Sequence, residues 1–199
     1  MNKILLLIPI FLTFEATAQT YQETLKKHRQ EYKEEFLKVK TSPVKAEDMQ
    51  YFDFFEIDST FRVRCKFTKT DSQSTFIIPT VDGIQKEYLK YGILNFEIGS
   101  KKLILNVYRS LDLVRVPKYQ NYLFIPFKDA TSGKETYGGG RYLNMETTDI
   151  QGDTVILDFN KAYNPYCAFG DGYSCPIPPK ENHLKARIEA GEKNFKKPH

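Results

Sequence analysis

Thr60-Phe61-Arg62-Val63-Arg64-Cys65-Lys66-Phe67 alternates without a break: Phe61, Val63, Cys65 and Phe67 share one parity, Arg62, Arg64 and Lys66 the other. Successive side chains of an extended chain point to opposite faces, so this period of two specifies a strand with one buried and one wet face. The pattern recurs downstream. Residues 68–73 form a turn, residues 75–78 a second strand, and Val81-Asp82-Gly83 another turn. Residues 87–91 and 93–98 read as strands broken or bent at Gly92, and Gly99-Ser100 joins the latter to residues 103–109 as a hairpin. Residues 122–127, 140–143 and 154–159 add three more strands, while Leu184, Ala186 and Ile188 alternate as a last strand or a short helix. Strands at short intervals predict a mainly β fold, an antiparallel barrel or sandwich.

Upstream the period changes. Tyr21, Leu25, His28, Tyr32, Phe36 and Val39 recur at helical spacing against a Lys- and Glu-rich face, so residues 20–40 are expected to form an N-terminal amphipathic helix. Thr20 and Glu23 have capping-box spacing, and Ser42-Pro43 stops the helix. Residues 45–51 are expected to add one short helical turn. Before this helix lies a leader pattern: Lys3, an apolar run over residues 4–14 interrupted by Pro9, then Ala16-Thr17-Ala18 with a cut expected before Gln19. The run is too short to span a bilayer, and no cysteine marks a lipoprotein site. Residues 1–18 are thus expected to be a signal peptide and residues 19–199 a single globular domain, periplasmic or secreted, with no membrane span.

The net charge is +4, and it stays there when residues 1–18, with Lys3 and Glu15, are removed. The charges are mixed along the chain rather than gathered in a basic stripe, which argues against a nucleic-acid partner. Cys167 and Cys175, with seven residues between them in a Pro- and Gly-rich stretch, are expected to form a disulfide in an oxidising compartment, leaving Cys65 as a buried thiol. The same pair with His183 offers three zinc ligands or a nucleophile and base, but no fourth ligand is evident and the spacing matches no common zinc module, so no metal is expected.

The chemistry-bearing residues gather in the last third. Thr131-Ser132-Gly133-Lys134-Glu135-Thr136 lacks the leading glycine and trailing hydroxyl of a phosphate loop. Tyr137-Gly138-Gly139-Gly140-Arg141 permits close backbone approach beside a guanidinium, or else forms a bulge with Arg141 paired to Asp158 or Glu135. Asp158 and Asn160 share one side of a strand, and they either bind hydroxyls or tie down the Asn164-Pro165 loop. A hairpin about residues 146–153 would set Arg141 beside Asp158. On that basis Glu135, Tyr137, Arg141, Asp158, Asn160 and Tyr163 are expected to form one ligand-binding surface for a small polar or anionic ligand, with no cofactor. The resulting expectation is an exported small-ligand-binding or structural module. The alternative is a hydrolytic enzyme using the Asp158 and Glu135 carboxylates with Arg141.

Several of these pieces carry a resemblance. Phe127-Lys128-Asp129-Ala130-Thr131-Ser132-Gly133-Lys134-Glu135-Thr136-Tyr137-Gly138, Gly140-Arg141-Tyr142, Leu157-Asp158-Phe159-Asn160, Ala162-Tyr163-Asn164-Pro165, Cys167-Ala168, Cys175-Pro176 and Glu181-Asn182 resemble the bacterial domain of unknown function 1684 family. The likeness covers residues 121–195 and extends to residues 32–109. It implies a shared fold and site region, and its name implies no reaction.

Overall fold

A computed structural model describes residues 12–71 and 74–197; residues 1–11 of the expected signal peptide, residues 72–73 of the first turn, and residues 198–199 lie outside the described residues. One helix, α1 (Leu12–Lys38), precedes seven strands: β1 (Arg62–Lys69), β2 (Thr75–Pro79), β3 (Gln85–Ile98), β4 (Lys101–Ser110), β5 (Tyr122–Phe127), β6 (Arg141–Glu146) and β7 (Thr154–Asp158). All pairings are antiparallel, in the order β6-β5-β4-β3-β1-β7, with β2 added to the first half of β3. The sheet curls into a half-barrel, so the fold is mainly β with an N-terminal helix.

The alternation in β1 is realised: Val63, Cys65 and Phe67 are buried, while Arg62, Arg64 and Lys66 are exposed. The two strands expected either side of Gly92 are one long strand, β3, whose register with β4 shifts between Lys90 and Gly92. Gly92 is required there, because a Cβ would sit 2.3 Å from the Phe67 ring. The extra residue changes parity. Tyr88 before the bulge and Leu94 and Phe96 after it therefore face opposite sides of the sheet. β5 and β6 are buried on both faces as well. Leu123, Ile125, Leu143 and Met145 join the main core on the concave side, and Phe124 and Tyr142 join a second cluster with Ile78, Tyr88 and Tyr108 on the other.

Three expectations are corrected. First, β6 and β7 do not form a hairpin about residues 146–153: β6 pairs with β5, β7 with β1, and the two strands are the opposite edges of the sheet. Both send aliphatic residues into the same core, so core closure rather than the Arg141–Asp158 attraction fixes their places. The open seam between them leaves a cleft of about 440 Å³. Second, Thr20 is no cap, because the chain is already helical from Leu12; the Thr24 hydroxyl donates to the Thr20 carbonyl at 2.8 Å. Leu25 and Phe36 of the helical stripe are buried, but Val39 lies beyond the helix and is exposed. The short turn expected after it is a 3-10 turn, Ala46–Tyr51.

Third, residues 184–190 are neither strand nor helix. They form an extended strap whose Leu184, Ala186, Ile188 and Ala190 side chains enter the main core. Part of the strap runs beside residues 128–130, through Lys128 N–H to Asn182 O, Leu184 N–H to Lys128 O and Ala130 N–H to Ala186 O. The alternation seen in sequence is real, but a side chain replaces the rest of the ladder.

Candidate functional site

That side chain is Arg141. Its Nη2 donates to Asp129 Oδ1 at 3.2 Å and to the Ile188 carbonyl at 2.9 Å. Its Nη1 donates to the Ala190 carbonyl and, at 3.2 Å, to that of Glu192. Carbonyls at alternate positions of an extended chain point the same way, so one planar fork collects all three. Asp129 completes the clamp. Its Oδ2 accepts from the Ile188 N–H at 2.8 Å, and both its oxygens accept from the Thr131 hydroxyl, which also bonds that of Thr136 at 2.9 Å. Arg141 is fully buried above the Phe127 ring and opens onto no cleft. Gly140 (φ +96°) lets the chain enter: a Cβ there would lie 2.7 Å from the Phe127 carbonyl. The close approach foreseen for the glycines is thus made to the protein's own backbone.

The six candidate residues do not share one surface. Glu135 is half-buried and bonds Arg187 at 2.7 Å, which holds its carboxyl below the usual range. Tyr137 is half-buried near it in sequence. Asp158 caps the turn after β7: Oδ1 accepts from the Asn160 N–H at 3.0 Å, and Oδ2 accepts from the Tyr21 hydroxyl of α1 at 2.9 Å. Asn160 is buried, donating to the Asp58 carbonyl at 2.8 Å and accepting from the Asp58 N–H at 3.1 Å. The pair docks the helix and the 58–60 turn. No partner links Asp158 to Glu135 or Arg141 among the described residues, so the two-carboxylate arrangement has no geometric basis. Asp158 borders the cleft at the β6–β7 seam, and Tyr163 borders a second, more aromatic space.

That space is a cleft of about 640 Å³ on the sheet face opposite the main core. Its floor is a row of rings. Tyr88 stacks on Phe124 (5.8 Å between centroids), and Phe124 meets Tyr142 edge to face at 4.7 Å. Tyr163 meets Tyr142 in turn at 5.8 Å. Tyr32 and Phe36 of α1 close one end. The roof is the segment from Tyr163 to Pro176, held by the Cys167–Cys175 disulfide. The roof is also tied to the sheet: Tyr142 Oη donates to the Pro176 carbonyl at 2.6 Å, and Lys86 Nζ to the Ser174 carbonyl at 2.8 Å. The Tyr122 and Tyr163 hydroxyls both donate to Asn144 Oδ1, at 2.7 and 2.8 Å.

Burial raises the pKa of these phenols, to about 12 for Tyr88 and for Tyr163, and upward also for Tyr122 and Tyr142. They are neutral donors at physiological pH. Cys65, the free thiol, is buried in the main core and likewise pushed up to about 12, which makes it inert. His183 Nε2 lies 3.1 Å from the Pro178 carbonyl, and Cys167 and Cys175 are joined in the expected disulfide.

Sequence reading missed Lys86, Tyr88, Tyr122 and Tyr142. The signal was present: in Tyr122-Leu123-Phe124 and Arg141-Tyr142-Leu143 aromatic and aliphatic residues alternate, as a strand buried on two chemically different faces requires.

A search of curated proteins finds no match to the chain. Among solved structures, the solution NMR structure of an uncharacterized protein of Haloarcula marismortui is similar, with a TM-score of 0.68 and 31% identity over 90% of this chain and 97% of that one. A family model described as a protein of unknown function, DUF1684, matches residues 47–193, a span that takes in every strand, the Arg141 clamp and the roof of the cleft. The chain belongs to the DUF1684 family.

Proposed function

We propose that the protein is an exported, non-catalytic module that binds a small ligand in the tyrosine cleft. The observation that carries this reading is the cleft itself, about 640 Å³ of mostly aromatic wall with a few fixed polar groups. Its size and chemistry are those of small-molecule sites. The roof is fastened by a disulfide and by Tyr142 and Lys86, so little ordering is left for a ligand to impose. No catalytic set accompanies it: the tyrosines are held neutral, and the carboxylates of the hydrolytic alternative are engaged by Tyr21, Asn160 and Arg187.

Export rests on the leader pattern of residues 1–18, and the disulfide is consistent with an oxidising compartment. Mass spectrometry of the exported protein should find an N-terminus within two residues of Gln19; an intact Met1 would refute it.

A thermal-shift screen of diverse small molecules tests the binding role. Hits should raise the melting temperature of the wild type and lose most of that effect in Tyr166→Ala, since ligand bound to the native state stabilises it by mass action. Hits unaffected by Tyr166→Ala, or none at all, would remove the cleft from consideration.

A further inference from the structure

We infer that the cleft selects a small organic anion with a planar ring body, an aromatic carboxylate in chemical class, with the anionic group held by Lys86 and Tyr88. This rests on the cleft being the ligand site. Four observations converge on it.

The first is charge. Among the described residues no Asp or Glu lines the cleft, and Lys86 is its single cation. Asp112, whose field reaches Tyr88, is not a lining residue. Lys86 makes no ion pair among the described residues; its ammonium gives one hydrogen to the Ser174 carbonyl and keeps two for a ligand.

The second is position. Lys86 and Tyr88 are two apart on β3, before the bulge, so both side chains stand on the cleft face. They are aligned with Ile78 and Phe76 of β2, which hold that stretch of β3 in a regular ladder.

The third is an unused donor. Tyr88 is 5% exposed, yet its hydroxyl has no hydrogen-bond partner among the described residues, while Tyr122, Tyr142 and Tyr163 all use theirs. Its oxygen is not one of the buried atoms left without a partner, so it opens onto the cleft, where a ligand oxygen can accept from it. A carboxylate bridging Lys86 and Tyr88 would do so.

The fourth is the row of rings formed by Tyr88, Phe124 and Tyr142, which presents aromatic faces and edges to a flat body. Aromatic walls also attract cations. The Lys86 ammonium and the lack of any lining carboxylate reverse that preference here.

The test uses three probes of one shape: 2-naphthoate, neutral 2-naphthalenemethanol, and the cationic trimethyl(2-naphthylmethyl)ammonium. Each is titrated into the mature protein, with the tyrosine ring resonances followed by NMR. Naphthoate should bind about tenfold or more tightly than the other two, the size expected of a charged hydrogen bond. Lys86→Met should weaken naphthoate about tenfold or more and the alcohol by far less, so that the difference between the two probes disappears. Lys86→Gln provides the same comparison should the methionine variant melt early. Tyr88→Phe should weaken naphthoate and spare the alcohol. Equal binding of the three probes, or an undiminished naphthoate affinity in both Lys86 variants, would overturn the anion selectivity while leaving the cleft as a binding site. If no probe moves the tyrosine resonances at millimolar concentration, both the selectivity and the site fall.

Discussion

Arg141 follows three glycines, and in sequence its guanidinium is free to meet a ligand phosphate or a neighbouring acid. Depth decides between these roles. With its side chain fully buried, the charge is tolerable only because Asp129 and three strap carbonyls surround it. Burial lowers its pKa and Asp129 works against that, so the group remains a cation. Arg141→Ala would strand Asp129 and release the strap, and is expected to cost about 3–5 kcal/mol in urea denaturation. Arg141→Lys should recover little, because an ammonium cannot reach four acceptors spread in a plane. A melting temperature unchanged in Arg141→Ala would refute the clamp. Sequence made Arg141 prominent, but it named Asp158 or Glu135 as partner. The true partner, Asp129, sits twelve residues away in the same motif. Nothing local distinguishes it, because the pairing depends on where the strap passes.

At the scale of elements, α1 docks by two kinds of contact. Leu25 and Phe36 are buried, and Tyr21 donates to Asp158 across the seam edge. Leu25→Ala or Phe36→Ala should each cost about 2–4 kcal/mol of unfolding free energy. Losses below about half a kcal/mol would make the helix peripheral. The roof segment is held differently, by the bond between Cys167 and Cys175, which closes a short loop and is expected to contribute roughly 2–3 kcal/mol. Non-reducing peptide mapping should recover that link with Cys65 free, and alkylation of all three thiols in unreduced native protein would contradict it. Elements were legible wherever a local period set them: the helical stripe of α1, the alternation of β1, and the bend at Gly92. Pairing was less so. The expected β6–β7 hairpin relied on charge attraction across a short connection, whereas both strands found partners elsewhere because their aliphatic residues close one core. The strap shows a second limit: alternating burial fixes an extended chain without saying what accepts its hydrogen bonds.

Across the whole molecule, helix, strap and cleft meet at Glu192, which no periodicity marks. Its carboxyl is fully buried, and Oε2 accepts from the Tyr32 hydroxyl of α1 and from the Asn164 N–H beside the cleft, both at 2.8 Å. Oε1 has no partner, and neither does Asn164 Oδ1, although the two side chains are in contact. Turning the Asn164 amide over is no remedy, because its Nδ2 already donates to the Lys193 carbonyl at 2.7 Å. A proton on Glu192 Oε1 would remove one uncompensated buried acceptor. Burial supplies the reason for it to stay, raising the Glu192 pKa to about 8 against the nearby Arg141 charge and the bonds from Asn164 and Tyr32. The sign of the consequence is fixed. The unfolded carboxyl ionises near 4.5 and the folded one near 8, so the folded state holds the extra proton between these values. Stability from this group is therefore complete below pH 4.5 and is lost as pH rises toward 8. Urea midpoints of the wild type should fall from pH 5 to pH 8, and Glu192→Gln, which keeps a donor in place at every pH, should flatten that slope. An identical slope in the variant would show that Glu192 is already ionised in the fold. Because Tyr32 and Asn164 both border the cleft, the same titration should loosen its end wall, and a cleft-bound probe should lose affinity across the same pH window in the wild type but not in Glu192→Gln.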